Sequence, residues 1–340
     1  MCSGSSAVGT MARAQAALAP ARRARARRGP SRARAFRLAW LLPLAAACDR
    51  DAEATPVRQL VPAATLAGYA DELGAFNAGG GERAESRAGT LRACGDPNNL
   101  PYSNARLEGF ENELVALVAD ELGLDTAWTW FPQRRGFARM TLRAGECDVI
   151  AGVPSSYEQA LTTAPYYRST YVFVTRADRQ LDIASLDDPR LRTLRVGVHT
   201  VGDDYANTPG AEALARRGLA GNVVGYSIYG DYTRESPPGA LIDAVADGEV
   251  DVAIAWGPIA GWFARRASAP LRLEPVTPQI DPPFTPFVYD VSMAVRRGED
   301  SLKLELEDAL RRRAPEIRAL LGRYAVPVVQ TGRPGLREPS

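Results

Sequence analysis

The residues best suited to chemistry in this chain are recognition groups, and they come in clusters. In "WFPQRRGF", Arg134 and Arg135 stand among Trp130, Phe131 and Phe137. Guanidinium groups beside rings suit carboxylates or a protein surface. The pair is expected on a loop between a strand and a helix, either facing a cleft or solvated at the helix start. In "DPNNLPYSN", Asn98, Asn99, Tyr102 and Asn104 offer uncharged donors and acceptors beside a ring, as a cleft edge or as a turn held by its own Asn side chains. Trp256 and Trp262, with Gly257, Tyr157, Tyr166, Tyr167, Phe284 and Phe287, are expected in part to line an apolar groove and in part to pack cores. Large rigid rings are the usual anchors of protein interfaces. Thr200 and Gly202 precede a helix start whose free N–H groups suit an anion, or else Thr200 or Asp203 caps that helix.

Catalytic and metal chemistry have little to build on. His199 is the only histidine, so Ser-His-Asp triads and multi-histidine metal sites have almost nothing to build on, and a lone histidine beside a strand end reads as structural. No phosphate-binding glycine loop occurs, and Asp203-Asp204 does not differ from a solvated turn. No catalytic residue, metal ligand or cofactor site is assigned.

The elements that must position these residues alternate along 340 residues of 46% hydrophobic composition, enough for a large core or two moderate ones. "LRACG" reads as a strand. "GFENELVALVADELGL" puts Phe110, Leu114, Leu117, Val118 and Leu122 on one helical stripe that stops at Gly123. "TAWTWF" is a second strand, "GFARMTLRAG" a helix closed by Gly145, and "CDVIAGV" a strand covered on both faces. "LRAGECDVIAGV" at 142–153 returns as "VADGEVDVAIAW" at 245–256. Two related α/β lobes with mainly parallel sheets follow. "YYRSTYVFVTR" and "FVYDVSMAVRRG" read as the two crossover segments of a hinge. Lobe one is expected over 90–172 and 290–330, lobe two over 176–287, with a tail at 331–340.

Upstream, nine arginines precede Leu41 without an acidic residue, and removing them leaves 32 basic against 40 acidic side chains, a net of −8. A nucleic-acid partner is excluded on that balance, since phosphate neutralisation needs a basic face. "LAWLLPLAAAC" after the arginines is too short for a comfortable membrane span and reads as the apolar part of an export signal over 1–47. Cys48 then becomes an acylated first residue or an incidental thiol after cleavage at Ala47; a lipid there is the one membrane contact expected. Residues 48–89 read as a tether. Cys94 and Cys147 either pair in an oxidising compartment or stay buried thiols.

The two-lobed order, the "GFENEL" helix, "GECDVIAGV" and "TTAPYYRSTYVFV" resemble periplasmic solute-binding proteins of the polar amino-acid type. "CGDPNNLPYSN", "WFPQRRGFARMTLRAGECDV" and "WGPIAGWFA" are similar, more narrowly, to the MxaJ/XoxJ type, solute-binding-like proteins encoded beside quinoprotein alcohol dehydrogenases that use pyrroloquinoline quinone (PQQ). That resemblance implies the type II solute-binding fold and a non-catalytic periplasmic partner of a methanol-dehydrogenase-like enzyme. Amino-acid binders hold the ligand carboxylate with an arginine nine residues before the proline of the "PYY"-like segment, and the ammonium with an aspartate two before the lobe-two proline. Those positions are Ser156 and Trp256, so free amino acids are poor ligands. An importer binding protein for another small organic solute is the alternative, and a dehydratase built on a single cleft carboxylate is a third class.

Overall fold

The computed structural model describes residues 89–133, 136–201, 206–228 and 237–329. The expectations for the export signal, Cys48, the tether, Arg134, Arg135, Gly202 to Asp204 and the tail lie outside the described residues. Nine principal strands are β1 (Thr90–Gly95), β2 (Asp125–Trp130), β3 (Val149–Pro154), β4 (Tyr167–Arg176), β5 (Val196–Val201), β6 (Val223–Ser227), β7 (Val252–Trp256), β8 (Leu271–Pro275) and β9 (Val288–Val295). Among the described residues seven α-helices accompany them: α1 (Phe110–Leu122), α2 (Phe137–Met140), α3 (Pro209–Arg216), α4 (Ala240–Ala246), α5 (Gly257–Ala264), α6 (Asp300–Arg312) and α7 (Ala314–Arg323). Among the described residues, no helix is long and apolar enough to cross a membrane.

The strands join in the order β6-β5-β7-β4-β9-β3-β1-β2. β1 runs parallel to β2 and β3 in one half, and β5 runs parallel to β6 and β7 in the other. The long strand β4 links the halves: its first residues pair antiparallel with β9, and Tyr171 to Thr175 pair antiparallel with β7. Side-chain alternation decides where each core sits. Val149 and Ala151 of β3 face a cluster with Phe110, Leu114 and Val118 of α1, while Ile150 faces Leu142 and the two cysteines. In the other half Val252 and Ile254 of β7 join Phe173 and Leu214, and Ala253 and Ala255 join Leu241 and Val245. Apolar residues on both faces of a strand are what a sheet sandwiched between helices requires. α6 and α7 close the first half, with Leu306, Leu320 and Tyr324 in the α1 cluster.

The recurring "Gly-Glu-x-Asp" sequence has a physical role. Asp148 accepts from the backbone N–H of Arg92 at 3.2 Å, and Arg92 Nη1 donates to Gly145 O at 3.0 Å. Asp251 accepts from the N–H of Arg195 at 2.8 Å, and Arg195 Nη2 donates to Gly248 O at 2.7 Å. Each aspartate therefore ties the start of its own strand to the parallel neighbour. Gly145 and Gly248 both sit at positive φ, 82° and 76°, where a side chain would be strained.

One element departs from its expectation. The helix foreseen up to Gly145 ends at Met140, and residues 141–145 form turns. Thr141 Oγ1 donates to Phe137 O at 2.7 Å; such back-bonding gives the chain an alternative to the helical ladder.

Candidate functional site

The carboxyl ends of β1, β3 and β7 converge on a cavity of about 370 Å³, the place where open α/β sheets receive ligands. Its floor is organised by Asp96, immediately after β1. Asp96 is 3% exposed, and its carboxylate accepts from the N–H of Asn98 at 2.8 Å and of Gln133 at 2.6 Å. Two loops are thereby drawn together, and Asn99 Nδ2 donates to Gln133 Oε1 at 2.7 Å between them.

One wall comes from α1. Gly109 lets the chain turn hard against Tyr102, since a Cβ there would lie 2.0 Å from Tyr102 O. Gly109 N–H and Asn104 N–H both donate to Asn112 Oδ1, and Glu111 N–H donates to Tyr102 O at 2.9 Å. These bonds turn the Glu111 side chain, in the first helical turn, toward the cavity. Its carboxylate lies against β3 at Gly152, where a Cβ would meet Glu111 Oε1 at 2.0 Å. Burial pushes the Glu111 carboxyl up to about 8, because enclosure disfavours the charged form.

Rings supply most of the remaining wall. Tyr102, Tyr167, Tyr171, Trp256 and Tyr289 all line the cavity that Glu111 enters. The latter three form one cluster, with centroids 5.2 Å apart for Tyr171 and Trp256 and 5.7 Å for Trp256 and Tyr289. Burial raises the hydroxyl pKa of Tyr167 well above its ordinary value, with the Glu111 charge adding to it. Among the described residues, no arginine, lysine or histidine lines this space.

Of the residues singled out in the sequence, Asn99, Tyr102 and Trp256 reach the cavity, as does Tyr167. Asn98 lies beside it in the Asp96 turn. The others serve elsewhere. Asn104 is buried and bonds Glu108 and Asn112. Phe131 packs on Phe137 at 6.4 Å, and Phe137 and Tyr157 cover the cysteine cluster. Ser156 is exposed. Tyr166 donates its hydroxyl to Ala151 O at 3.0 Å. Thr200 lies in the β5–β6 pairing, its methyl filling the space opposite Gly225. Trp262 stacks on Tyr324 at 4.6 Å beneath the Arg266 guanidinium. Phe287 is fully buried in the second-half core, whereas Phe284 is 86% exposed. Spacing puts an aromatic residue near the cleft; whether it faces the cavity or a core depends on neighbours far away in sequence.

Cys94 and Cys147 are joined in a disulfide with a Cα–Cα distance of 5.6 Å. His199 is buried, its Nε2 3.0 Å from Pro238 O, and burial lowers its pKa to about 4. It lines no part of the cavity and acts as a structural residue.

Glu111, Gln133, Gly152, Tyr171 and Tyr289 went unnoticed in the sequence. Glu111 falls on the polar side of the helical stripe, and Tyr171 and Tyr289 sit inside the runs read only as hinge crossovers. The one available signal was a tyrosine inside each crossover segment, Tyr171 in the first and Tyr289 in the second.

Residues 91–324 match the model of the bacterial extracellular solute-binding proteins, family 3. The protein MoxJ of Methylorubrum extorquens is 34% identical over 255 residues, 73% of this chain and 84% of that protein. Among solved structures, MxaJ from Methlophaga aminisulfidivorans MPT is similar at 26% identity and a TM-score of 0.62, over 70% of this chain and all of that one. The periplasmic binding protein XoxJ from Methylobacterium extorquens AM1 is similar at 35% identity and a TM-score of 0.59, over 71% of this chain and 99% of that one.

Proposed function

The chain belongs to family 3 of the bacterial extracellular solute-binding proteins, and from that premise we propose a non-catalytic periplasmic accessory protein. It binds a PQQ-dependent alcohol dehydrogenase of the methanol-oxidising kind and assists its maturation or activation through the inter-lobe cleft. The observation that carries this reading is a cavity walled by rings from both halves, with Trp256 where an amino-acid binder has its ammonium anchor. The arginine anchor is likewise missing, because Ser156 is exposed and outside the cavity. A zwitterion held there would forgo charge-assisted bonds of about 1.5–3 kcal/mol each. The similarity to MoxJ, MxaJ and XoxJ over more than two thirds of the chain supports the same reading.

The test is recovery of partners from native periplasm on the tagged mature chain, identified by mass spectrometry. A quinoprotein dehydrogenase is expected, and Trp256→Ala weakens its capture by about 30-fold, the scale of a 2 kcal/mol interface anchor. Equal capture by the variant would move the interface off the cleft. In this reading the membrane enters only through acylation of Cys48, which the intact mass of the mature chain reports. The cavity volume also fits a small organic solute, so an importer binding protein is the second reading. A metabolite that raises the melting temperature, with no dehydrogenase captured, would favour it.

A further inference from the structure

The cleft holds one feature that neither a purely apolar groove nor an amino-acid site accounts for, the Glu111 carboxyl among the rings. We propose that the cavity binds an organic cation of the alkylammonium class, held by ionised Glu111 and by the faces of the surrounding rings. The argument is one of composition and geometry. Tyr102, Tyr167, Tyr171, Trp256 and Tyr289 line the same space as a single carboxylate. Rings attract a cation through their negative faces, and quaternary or methylated ammonium groups are the ligands such cages recognise. Gly152 leaves the carboxylate seated against bare backbone, so its oxygens reach the cavity edge without a protein cation among the described lining residues. Glu111 is half-buried, and a charge partly withdrawn from water among rings gains from a partner. The protein alone meets that need by protonating Glu111, whose carboxyl burial has raised to about 8; a bound cation meets it by ionising the group.

The surroundings of Glu111 keep this switch simple. Tyr102, Tyr166 and Tyr167 are the titratable groups beside it, and burial raises the latter two hydroxyls well above their ordinary range. β3 offers only backbone at Gly152. The other acids of α1 are engaged elsewhere, Glu113 by Tyr324 and Arg323, Asp120 by Arg313, and Glu121 by Arg312 and Arg313. Binding a cation at pH 7 therefore releases close to one proton, and apparent affinity rises about tenfold between pH 7 and pH 9 as Glu111 ionises.

Tetramethylammonium is the probe, because its permanent charge cannot itself supply the proton. Calorimetry of the mature chain in buffers of different ionisation heat is expected to read about one proton released at pH 7 and almost none at pH 10. The uncharged near-isostere neopentyl alcohol is expected to bind at least tenfold more weakly, and Glu111→Gln to lose tenfold or more for the cation while keeping its melting temperature. Butylammonium against Nα-acetyl-lysine methylamide then separates a free amine from a lysine side chain borne by a partner. No binding at 10 mM, equal binding of the neutral isostere, or binding without proton release would each overturn the proposal. The proton count needs no variant, so it holds even if Glu111→Gln fails to fold. Dehydrogenase capture is a separate readout, and its failure leaves this inference standing.

Discussion

Removing the disulfide between Cys94 and Cys147 should lower stability by a calculable amount and loosen the floor of the cleft. The two residues are 53 apart in sequence. In the chain-entropy account, opening a loop of that length returns about 14 cal/mol/K to the unfolded chain, roughly 4 kcal/mol at 25 °C. The native side of the balance changes little. β1 and β3 already pair at Ala93 with Val149 and at Cys94 with Ile150, and both cysteines are buried among Ala138, Leu142 and Ile150. With a urea slope of about 3 kcal/mol/M, the midpoint of Cys94→Ala/Cys147→Ala should fall by about 1.3 M, and reduction of the wild type should produce a similar fall. Urea unfolding followed by tryptophan fluorescence reads this directly, with free thiols counted in parallel. If the oxidised and reduced proteins unfold within 0.3 M of each other while the thiol count confirms reduction, the entropy reasoning fails. The cleft should feel the loss as well, because Asp96 and Gly152 are carried at the ends of the two stapled strands.

Asp281 is fully buried and accepts from Arg216 Nη2 and Arg217 Nη2, each at 2.6 Å; Asp281→Ala strands two arginines and should cost about 3–5 kcal/mol in urea unfolding, with little relief from 1 M salt. His199 has a folded pKa near 4, depressed by burial, so its stabilising effect is complete above pH 6.5 and declines as pH falls toward 4. The stability gap between wild type and His199→Gln should therefore shrink by about 2–3 kcal/mol from pH 7.5 to pH 4.5, and a constant gap would refute the linkage. Gly152→Val places side-chain carbon where Glu111 Oε1 now lies; the fold should survive with altered near-ultraviolet dichroism of the cleft rings, and an unchanged spectrum would show that the carboxylate is not where the geometry puts it. Asp251→Ala removes the acceptor for the Arg195 N–H and should cost about 1–3 kcal/mol as an orphaned strand-start donor, measured by the same unfolding assay.

Much of the scaffold was legible because it is local. Phe110, Leu114 and Val118 recur at helical spacing and are all fully buried, and Gly123 ends the helix at a φ of 68°. The duplicated "Gly-Glu-x-Asp" turns marked two like halves, although their arginine partners were missed. Leu91-Arg92, at the start of β1, and Leu194-Arg195, just before β5, stand in similar places in the two halves, so a repeat search widened to the preceding strand would have found them. The helix foreseen to Gly145 was shortened by the Thr141 hydroxyl, a competition that periodicity does not register.

By itself, the sequence determined the alternation of strands and helices and the strands covered on both faces. Each of these depends on neighbours a few residues away or on a residue's own chemistry. Only the tertiary structure decided which rings face the cavity. Tyr167 and Tyr171 lie on one strand, yet the first packs in the core of one half and the second against that of the other, because β4 passes from half to half. Only the tertiary structure, too, turned Glu111 from a helix-surface acid into a half-buried one in the cavity wall. Its burial is imposed by Gly152 and the tyrosines, brought against it by long-range strand pairing, and desolvation depends on what surrounds a carboxyl rather than on what precedes it in the chain.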